Sequence, residues 1–403
     1  MSSRPACHTL LILNKKVEGD FIRINKTLRP LSWVYGLIVR TRNLMFETGI
    51  LKTRTFDVPI ISVGNITVGG SGKTPHVEYL IRLLIKDFNV AVLSRGYKRK
   101  STGFILADAN STARDIGDEP YQMKRKFEQV TVAVDKNRCH GIDMLEECGV
   151  KPEVVLLDDA FQHRYVKPGI NILLVDYHRL IIYDEMLPSG RLREPKEGKN
   201  RADIVIVTKC PKEMKPIDYR VITKAMDLYP YQQLYFSTIN YGGLEPIFNG
   251  APKRMEELVN ENVLLLTGIA SPQQMVHDLS PQCGHLQPLS FSDHHHFDAK
   301  DVQQINDTFA TMEGPKCIVT TEKDATRLEG LEGLSDEVKA SIYSLPITIQ
   351  FLQEQQESFN NYITDYVRKN SRNSILVERK DDNKPQDSNY SGNRSRTISF
   401  RDN

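Results

Sequence analysis

Gly69, Gly70, Ser71, Gly72, Lys73 and Thr74 stand together inside "SVGNITVGGSGKTPHVEYL", residues 62–80, and close with the Gly-Lys-Thr that ends many phosphate-binding loops. Such a loop works because successive backbone N–H groups converge on phosphate oxygens. A lysine reaches the β and γ phosphates, and a Ser or Thr hydroxyl holds Mg²⁺. The general pattern G-x-x-x-x-G-K-[ST] asks for glycine five places before Gly72, and Thr67 occupies that place. Thr67 and Val68 therefore open a deviant nucleotide loop, one whose glycine pair sits just before the Ser-Gly-Lys-Thr run.

A loop of this kind needs an acidic group at the end of a hydrophobic strand to position the metal. "EVVLLDDAFQH" supplies Asp158 and Asp159 there. In "RDIGDEPYQMKR", Asp115, Asp118 and Glu119 precede Pro120, a proline suited to a first helical turn. An acid at a helix start is either a partner of the helix dipole or a general base facing the γ-phosphate. "SFSDHHHF" places His294, His295 and His296 after Asp293. Three adjacent histidines diverge on any regular element, so this run alone makes a poor three-histidine zinc site. It is either a solvated loop or a place where one His, oriented by Asp293, assists a base. "VTKCPK" carries Pro211 where a guanine-reading Asp would stand, which points to ATP rather than GTP.

The elements that must hold these residues are readable as short apolar runs. "VPIISVGN" (58–65) reads as the strand before the loop, and 74–87 as the helix after it, with Val77, Leu80, Ile81 and Leu84 at core-facing spacing. Further strands are expected at 89–94, 130–134, 153–159, 170–176 and 203–209. Four or five apolar residues without alternation suit parallel strands covered on both faces. The pattern restarts at 232–239, 262–270 and 316–324, with a last helix near 352–368. The expectation is an α/β protein with a mostly parallel sheet and helices on both faces. It divides into an extension (1–27), a helical segment (28–51), a loop-bearing core (52–225), a smaller C-terminal α/β lobe (226–367) and a polar, disordered tail (368–403).

At 403 residues and 46.0 kDa the chain is long enough for two cores. Its 53 basic and 51 acidic residues nearly cancel, so no general affinity for nucleic acid is expected. The six cysteines form no C-x-x-C pair, which excludes the usual zinc and disulfide frameworks. No apolar run is long enough for a conventional membrane span. The nearest is "LRPLSWVYGLIVRTRNLMFETGIL", residues 28–51. There Leu37, Ile38, Leu44, Met45 and Phe46 fit one helical face, with Trp33 and Tyr35 at one end. That face suits either a membrane interface or the protein's own core.

Taken together, the motifs resemble the tetraacyldisaccharide 4′-kinases, the lipid A kinases. The resemblance runs through most of residues 30–350. It is carried by "PLSWVYGL", "VGNITVGGSGKTP", "LSRGYKRKS", "GDEP", "LLDDAFQH", "LPSGRLREP", "RADIVIVTK", "GIASP", "SDHHHF" and "TTEKDA", in that order. It implies a P-loop NTPase-like fold with a second lobe. The implied reaction moves the γ-phosphate of ATP to the 4′ hydroxyl of a tetraacylated glucosamine disaccharide 1-phosphate. It further implies that 28–51 associates with a membrane surface and that Asp118 is the base, with Asp293 and His294 beside it. Thr74 would ligate Mg²⁺ near Asp158 and Asp159. Asn65, Arg95, Arg138, His163, Arg191, Arg193 and Glu194 become candidates for substrate or nucleotide phosphate. The implied partners are the acylated lipid and the membrane, with the protein a monomer. The lengthened termini suggest an organellar, mitochondrial member, the alternative being the cytoplasmic face of a bacterial inner membrane. The competing functions are a membrane-docked nucleotide switch and a silent lipid-binding scaffold.

Overall fold

The computed structural model describes residues 24–381, apart from Ser271 and His294. A nine-stranded sheet forms the larger lobe. Its strands in chain order are β1 (Ile60–Gly64), β2 (Val90–Ser94), β3 (Ile105–Leu106), β4 (Thr131–Val134), β5 (Val154–Asp158), β6 (Ile170–Asp176), β7 (Ile204–Thr208) and β8 (Gln233–Tyr241), with β14 (Ile347–Phe351) joining late. Their spatial order is β14-β8-β7-β6-β1-β5-β2-β4-β3. Only the edge strands β14 and β3 run antiparallel to their neighbours. The central strands β1, β2, β5 and β7 are buried at every position, as their unalternating apolar runs require. The smaller lobe is a five-stranded sheet of β9 (Glu245–Pro246), β10 (Asn262–Thr267), β11 (His285–Ser290), β12 (Lys316–Thr321) and β13 (Ile342–Leu345), in the order β11-β10-β12-β13-β9.

Five helices flank the cavity or complete the larger lobe: α1 (Arg29–Glu47), α2 (Lys73–Leu84), α3 (Asp118–Lys126), α4 (Glu322–Leu328) and α5 (Gln356–Asp381). Helix α2 buries Val77, Leu80, Ile81 and Leu84 against the large sheet, the residues whose spacing selected that face. Phe359, Ile363 and Val367 of α5 enter the same core.

The lobe boundaries differ from the sequence expectation. Strand β8, assigned to the second lobe from its position after 225, pairs in parallel with β7 of the first. Strand β14 then pairs antiparallel with β8, and α5 packs on the first lobe. The second lobe is therefore an insertion, about 242–346, entered from β8 and left into β14. Gly242 N–H donates to Pro346 O at 2.8 Å where the two connections meet. Its strands could not be apportioned from chain order because the pairing is non-local. The expected boundary at 368 also falls inside α5, which continues to Asp381. Residues 1–23 of the extension and 382–403 of the tail lie outside the described residues.

Helix α1 inverts the usual amphipathic arrangement. Ser32, Gly36 and Phe46 face the protein, while Leu31, Trp33, Val34, Leu37, Ile38 and Leu44 are exposed. Trp33 is 76% exposed, too high a value for a residue docked on its own core. The expected single face is thus divided. Phe46 turns inward to meet Tyr165 edge-on at 5.0 Å, and Tyr35 donates its hydroxyl to Arg193 O at 3.0 Å. No helix among the described residues is long and apolar enough to cross a membrane.

Candidate active site

The glycine loop joins β1 to α2, and two close approaches explain its sequence. A Cβ on Gly64 would lie 2.7 Å from Phe161 Cβ and 2.8 Å from its backbone N. Gly72, at φ +82°, caps α2 in the left-handed region that glycine enters without a steric cost. No side chain caps this helix start, which leaves its N–H groups disposed toward an anion. Thr67 now has a physical explanation. It bridges antiparallel to Leu192, Val68 N–H donates to Arg191 O at 2.9 Å, and Arg193 N–H donates to Ile66 O at 2.7 Å. The first half of the loop is an extended rung of backbone pairing, where a β-branched residue fits and a glycine turn would not.

The loop's second half is braced from behind. Asn65 Nδ2 donates to Ser71 Oγ at 2.8 Å, Thr208 Oγ1 to Ser71 O at 3.0 Å, and Lys209 Nζ to Gly70 O at 2.5 Å. His76, buried on α2, bonds Gly72 O through Nδ1 at 2.7 Å and Ser237 Oγ through Nε2 at 3.0 Å. A carbonyl only accepts, so Nδ1 carries the proton and Nε2 accepts from Ser237. Burial lowers this imidazole's pKa to about 4, and burial with nearby Arg138, Arg42 and Arg95 lowers that of His163 similarly. An unfolded chain takes up these protons near pH 6.5, so between about pH 6.5 and 4 it binds more protons than the fold does. Stability is lost as pH falls through that window, on the order of 3 kcal/mol for fully buried His76. We expect the melting temperature to drop between pH 7 and pH 5. His76→Gln should be less stable at pH 7 but should drop less; an undiminished slope in that variant would exclude His76 as a cause.

Residues 68–74 line a cavity of about 420 Å³ between the lobes. Asp158 and Asp159, at the end of β5, also line it, with Ser94, Arg95, Arg193, Asp293 and Glu119. Its other half is apolar, with Ile239, Tyr241, Met275 and Ile347 drawn from both lobes and their junction. Lys73 Nζ lies 3.7 Å and Arg193 Nη2 3.4 Å from Asp159 Oδ1. Burial opposes ionisation of Asp159, yet Lys73, Arg193 and Arg138 outweigh it and hold the carboxyl below its usual range. For Asp158, burial together with the charges of Glu119 and Asp159 pushes the pKa up to about 7. Ser94 Oγ donates to its Oδ2 at 3.0 Å, whereas Oδ1 is buried with no hydrogen-bond partner. A buried oxygen in that condition suits a cation.

Several expected site residues lie behind the cavity wall rather than on it. Arg138, 2% exposed, donates through its guanidinium to the carbonyls of Asp135, Lys136, Asp158 and Asp159. It supports the turn that carries the two aspartates. His163 Nε2 accepts from Arg138 N–H at 3.3 Å. Glu194 is buried and paired with Arg201 at 2.8 Å. Asn65 accepts from Arg193 through Oδ1, and Arg191 is exposed at the edge of the loop. Asp118 starts α3 just outside the cavity lining. His294 lies outside the described residues, whereas His295 Nε2 is 2.7 Å from Asp301 Oδ2. Lys209, read from sequence only as part of a base-recognition string, proves to line the cavity and to bridge Gly70 O and Asp176. The Lys at the end of a buried strand was its only sequence signal.

Residues 24–368 match the family model described as Tetraacyldisaccharide-1-P 4′-kinase. The chain belongs to this family. It is 59% identical to a tetraacyldisaccharide 4′-kinase of Phocaeicola vulgatus, over 89% of this chain and 99% of that protein. It is 56% identical to the enzyme so named in Bacteroides thetaiotaomicron, over 90% and 98%. Among solved structures it resembles LpxK from Aquifex aeolicus in complex with ATP, with TM-score 0.65 and 29% identity over 85% of this chain and 98% of that one. The mitochondrial expectation, drawn from the lengthened termini, finds no support among these relatives. These tetraacyldisaccharide 4′-kinases come from bacteria, which favours the alternative.

Proposed function

We propose that the protein is an ATP-dependent tetraacyldisaccharide 4′-kinase of lipid A biosynthesis, working at a bacterial inner membrane. The observation that carries the reading is the junction of a Gly-Lys-Thr loop with two strand-end aspartates in one cavity between lobes. Backbone N–H groups of residues 69–74 and the Lys73 ammonium bind the phosphates. The apolar half of the cavity, with Tyr241 and Met275, takes the adenine, and closing it excludes water from the γ-phosphate. Thr74 Oγ1 and Asp158 Oδ1, with Asp159 nearby, would hold Mg²⁺, which would supply neutralising charge. Among the described residues no three His, Cys, Asp or Glu side chains form an ion cage by themselves, as suits an ion brought with a nucleotide. Asp118 accepts the proton of the attacking 4′ hydroxyl, and Asp293 and His294 assist it. Arg95, at the exposed rim, meets the acceptor lipid's phosphate, and Arg193 steadies Asp159.

The decisive assay incubates the purified protein with Mg-ATP and a tetraacyldisaccharide 1-phosphate in detergent and weighs the lipid. Gain of one phosphoryl group is expected; hydrolysis of ATP with the lipid unchanged would instead favour a nucleotide switch.

The outward apolar face of α1 supplies the membrane contact. Each fully buried large apolar side chain is worth about 1.5–3 kcal/mol, enough for several together to hold a peripheral protein. Val34→Glu with Leu37→Glu should shift the folded protein out of the vesicle pellet. Unchanged sedimentation would count against this contact.

A further inference from the structure

Asp118 is engaged from the opposite lobe. Arg327 of α4 donates to its Oδ2 through Nε at 3.1 Å and Nη2 at 2.5 Å. The same guanidinium donates from Nη1 to Asp324 Oδ1 at 2.9 Å and toward Gly268 O at 3.4 Å. Asp324 has no exposed side-chain surface and also accepts from Gly268 N–H at 2.8 Å and Thr321 Oγ1 at 2.7 Å. Arg327 is therefore fixed within its own lobe before it reaches across. Three further ion pairs run along the same seam between α3 and α4: Glu119 with Lys323 at 3.3 Å, Arg125 with Glu329, and Lys126 with Glu322. They set one register, in which Arg327 meets Asp118.

We propose that Arg327 is a positioning residue for Asp118, presenting the first lobe's base from the second. The inference rests on the reading of Asp118 as the base. Two bonds to Oδ2 anchor the carboxylate through that oxygen, since a forked guanidinium fixes orientation as a point charge cannot. In the step, the acceptor oxygen's electron pair forms the new bond to the γ-phosphorus. The bond from that phosphorus to its bridging oxygen breaks with its pair leaving on ADP, and the hydroxyl proton passes to Asp118. Among the described residues, other charges at this face are Glu119, next in the chain, and Asp293, with Lys323 between them at 3.3 and 3.8 Å. The two anions and the Arg327 cation act on the Asp118 carboxylate with opposite sign.

The test compares wild type, Arg327→Met, Arg327→Lys, Asp118→Asn and the Asp118→Asn/Arg327→Met double variant by kcat, KM for ATP and the pH profile of kcat. Arg327→Met should lower kcat about 10- to 100-fold, the range of a misplaced proton acceptor, with KM for ATP within about twofold. The acid limb should move to higher pH, because the cation that favours the ionised form is gone. On the Asp118→Asn background the same substitution should cost nothing further. Arg327→Lys should keep the acid limb near wild type yet recover only part of kcat. If Asp324, left without its cation, destabilises the methionine variant, the lysine variant carries the same comparison. An unchanged kcat and acid limb, or a loss that multiplies in full on the Asp118→Asn background, overturns the proposal. Wild-type kcat in Asp118→Asn instead refutes the base assignment and leaves the seam purely structural.

Discussion

Lys73→Met should lower kcat by about a thousandfold, at the upper end of what a single electrostatic contact to a developing anion contributes. The substitution keeps the unbranched stem, so α2 and its buried face should fold as before. What disappears is the ammonium 3.7 Å from Asp159 and at the start of the helix, where charge gathers on the transferred group. Loss of that cation also lifts the pKa of Asp159, because Lys73 leads the cations that offset its burial. Turnover at saturating ATP, with nucleotide affinity measured separately, checks the expectation. A loss of less than tenfold would show that Arg193 and the backbone amides carry the phosphate without it.

Asp118→Asn should lower kcat by at least about 100-fold, the scale of a lost general base, while nucleotide binding survives. Binding should survive because Asp118 stands outside the cavity lining, one residue before Glu119, which belongs to it. The amide is close in shape and can still meet Arg327, so the loss would report proton transfer rather than collapse of the seam. Retained turnover would move the role to another carboxylate that lines the cavity, such as Asp293 or Asp159. Equilibrium ATP binding alongside single-turnover phosphorylation separates these outcomes.

The parts of the site legible in the sequence were those whose chemistry is local in the chain. The glycine pair, Lys73 and Thr74 are contiguous, and the Asp158-Asp159 pair ends a run of four apolar residues that could only be a buried strand. Interactions made at long range were not legible. Lys209 reaches Gly70 across 139 residues and Arg327 reaches Asp118 across 209, and neither leaves a periodic trace. Arg138 and Glu194 have packing partners that residue type alone did not disclose. Both read as ligands by type, and in the fold Arg138 donates to carbonyls while Glu194 pairs with Arg201. The same limit governs the fold. Apolar runs marked β1, β2, β4 to β8, β10 and β12, whereas β3, β9, β11, β13 and β14 went unread; the membership of β8 and β14 in the first sheet depends on which edge is unpaired, and that is a property of the assembled sheet. For α1 the apolar content was plain, while the inward turn of Phe46 depended on Tyr165, far along the chain.

The insertion of the second lobe between β8 and β14 orders events during synthesis. A chain emerging from its N-terminus presents strands β1 to β8 first, but Phe351, Phe359, Ile363 and Val367, which cover one face of that sheet, follow only after the whole inserted lobe. The inserted lobe has cores of its own, built within 244–345. The later-made unit can thus be complete while the earlier-made one still lacks Phe351, Phe359, Ile363 and Val367 from its core. The nucleotide loop is translated early, but the sheet beneath it is sealed nearly last.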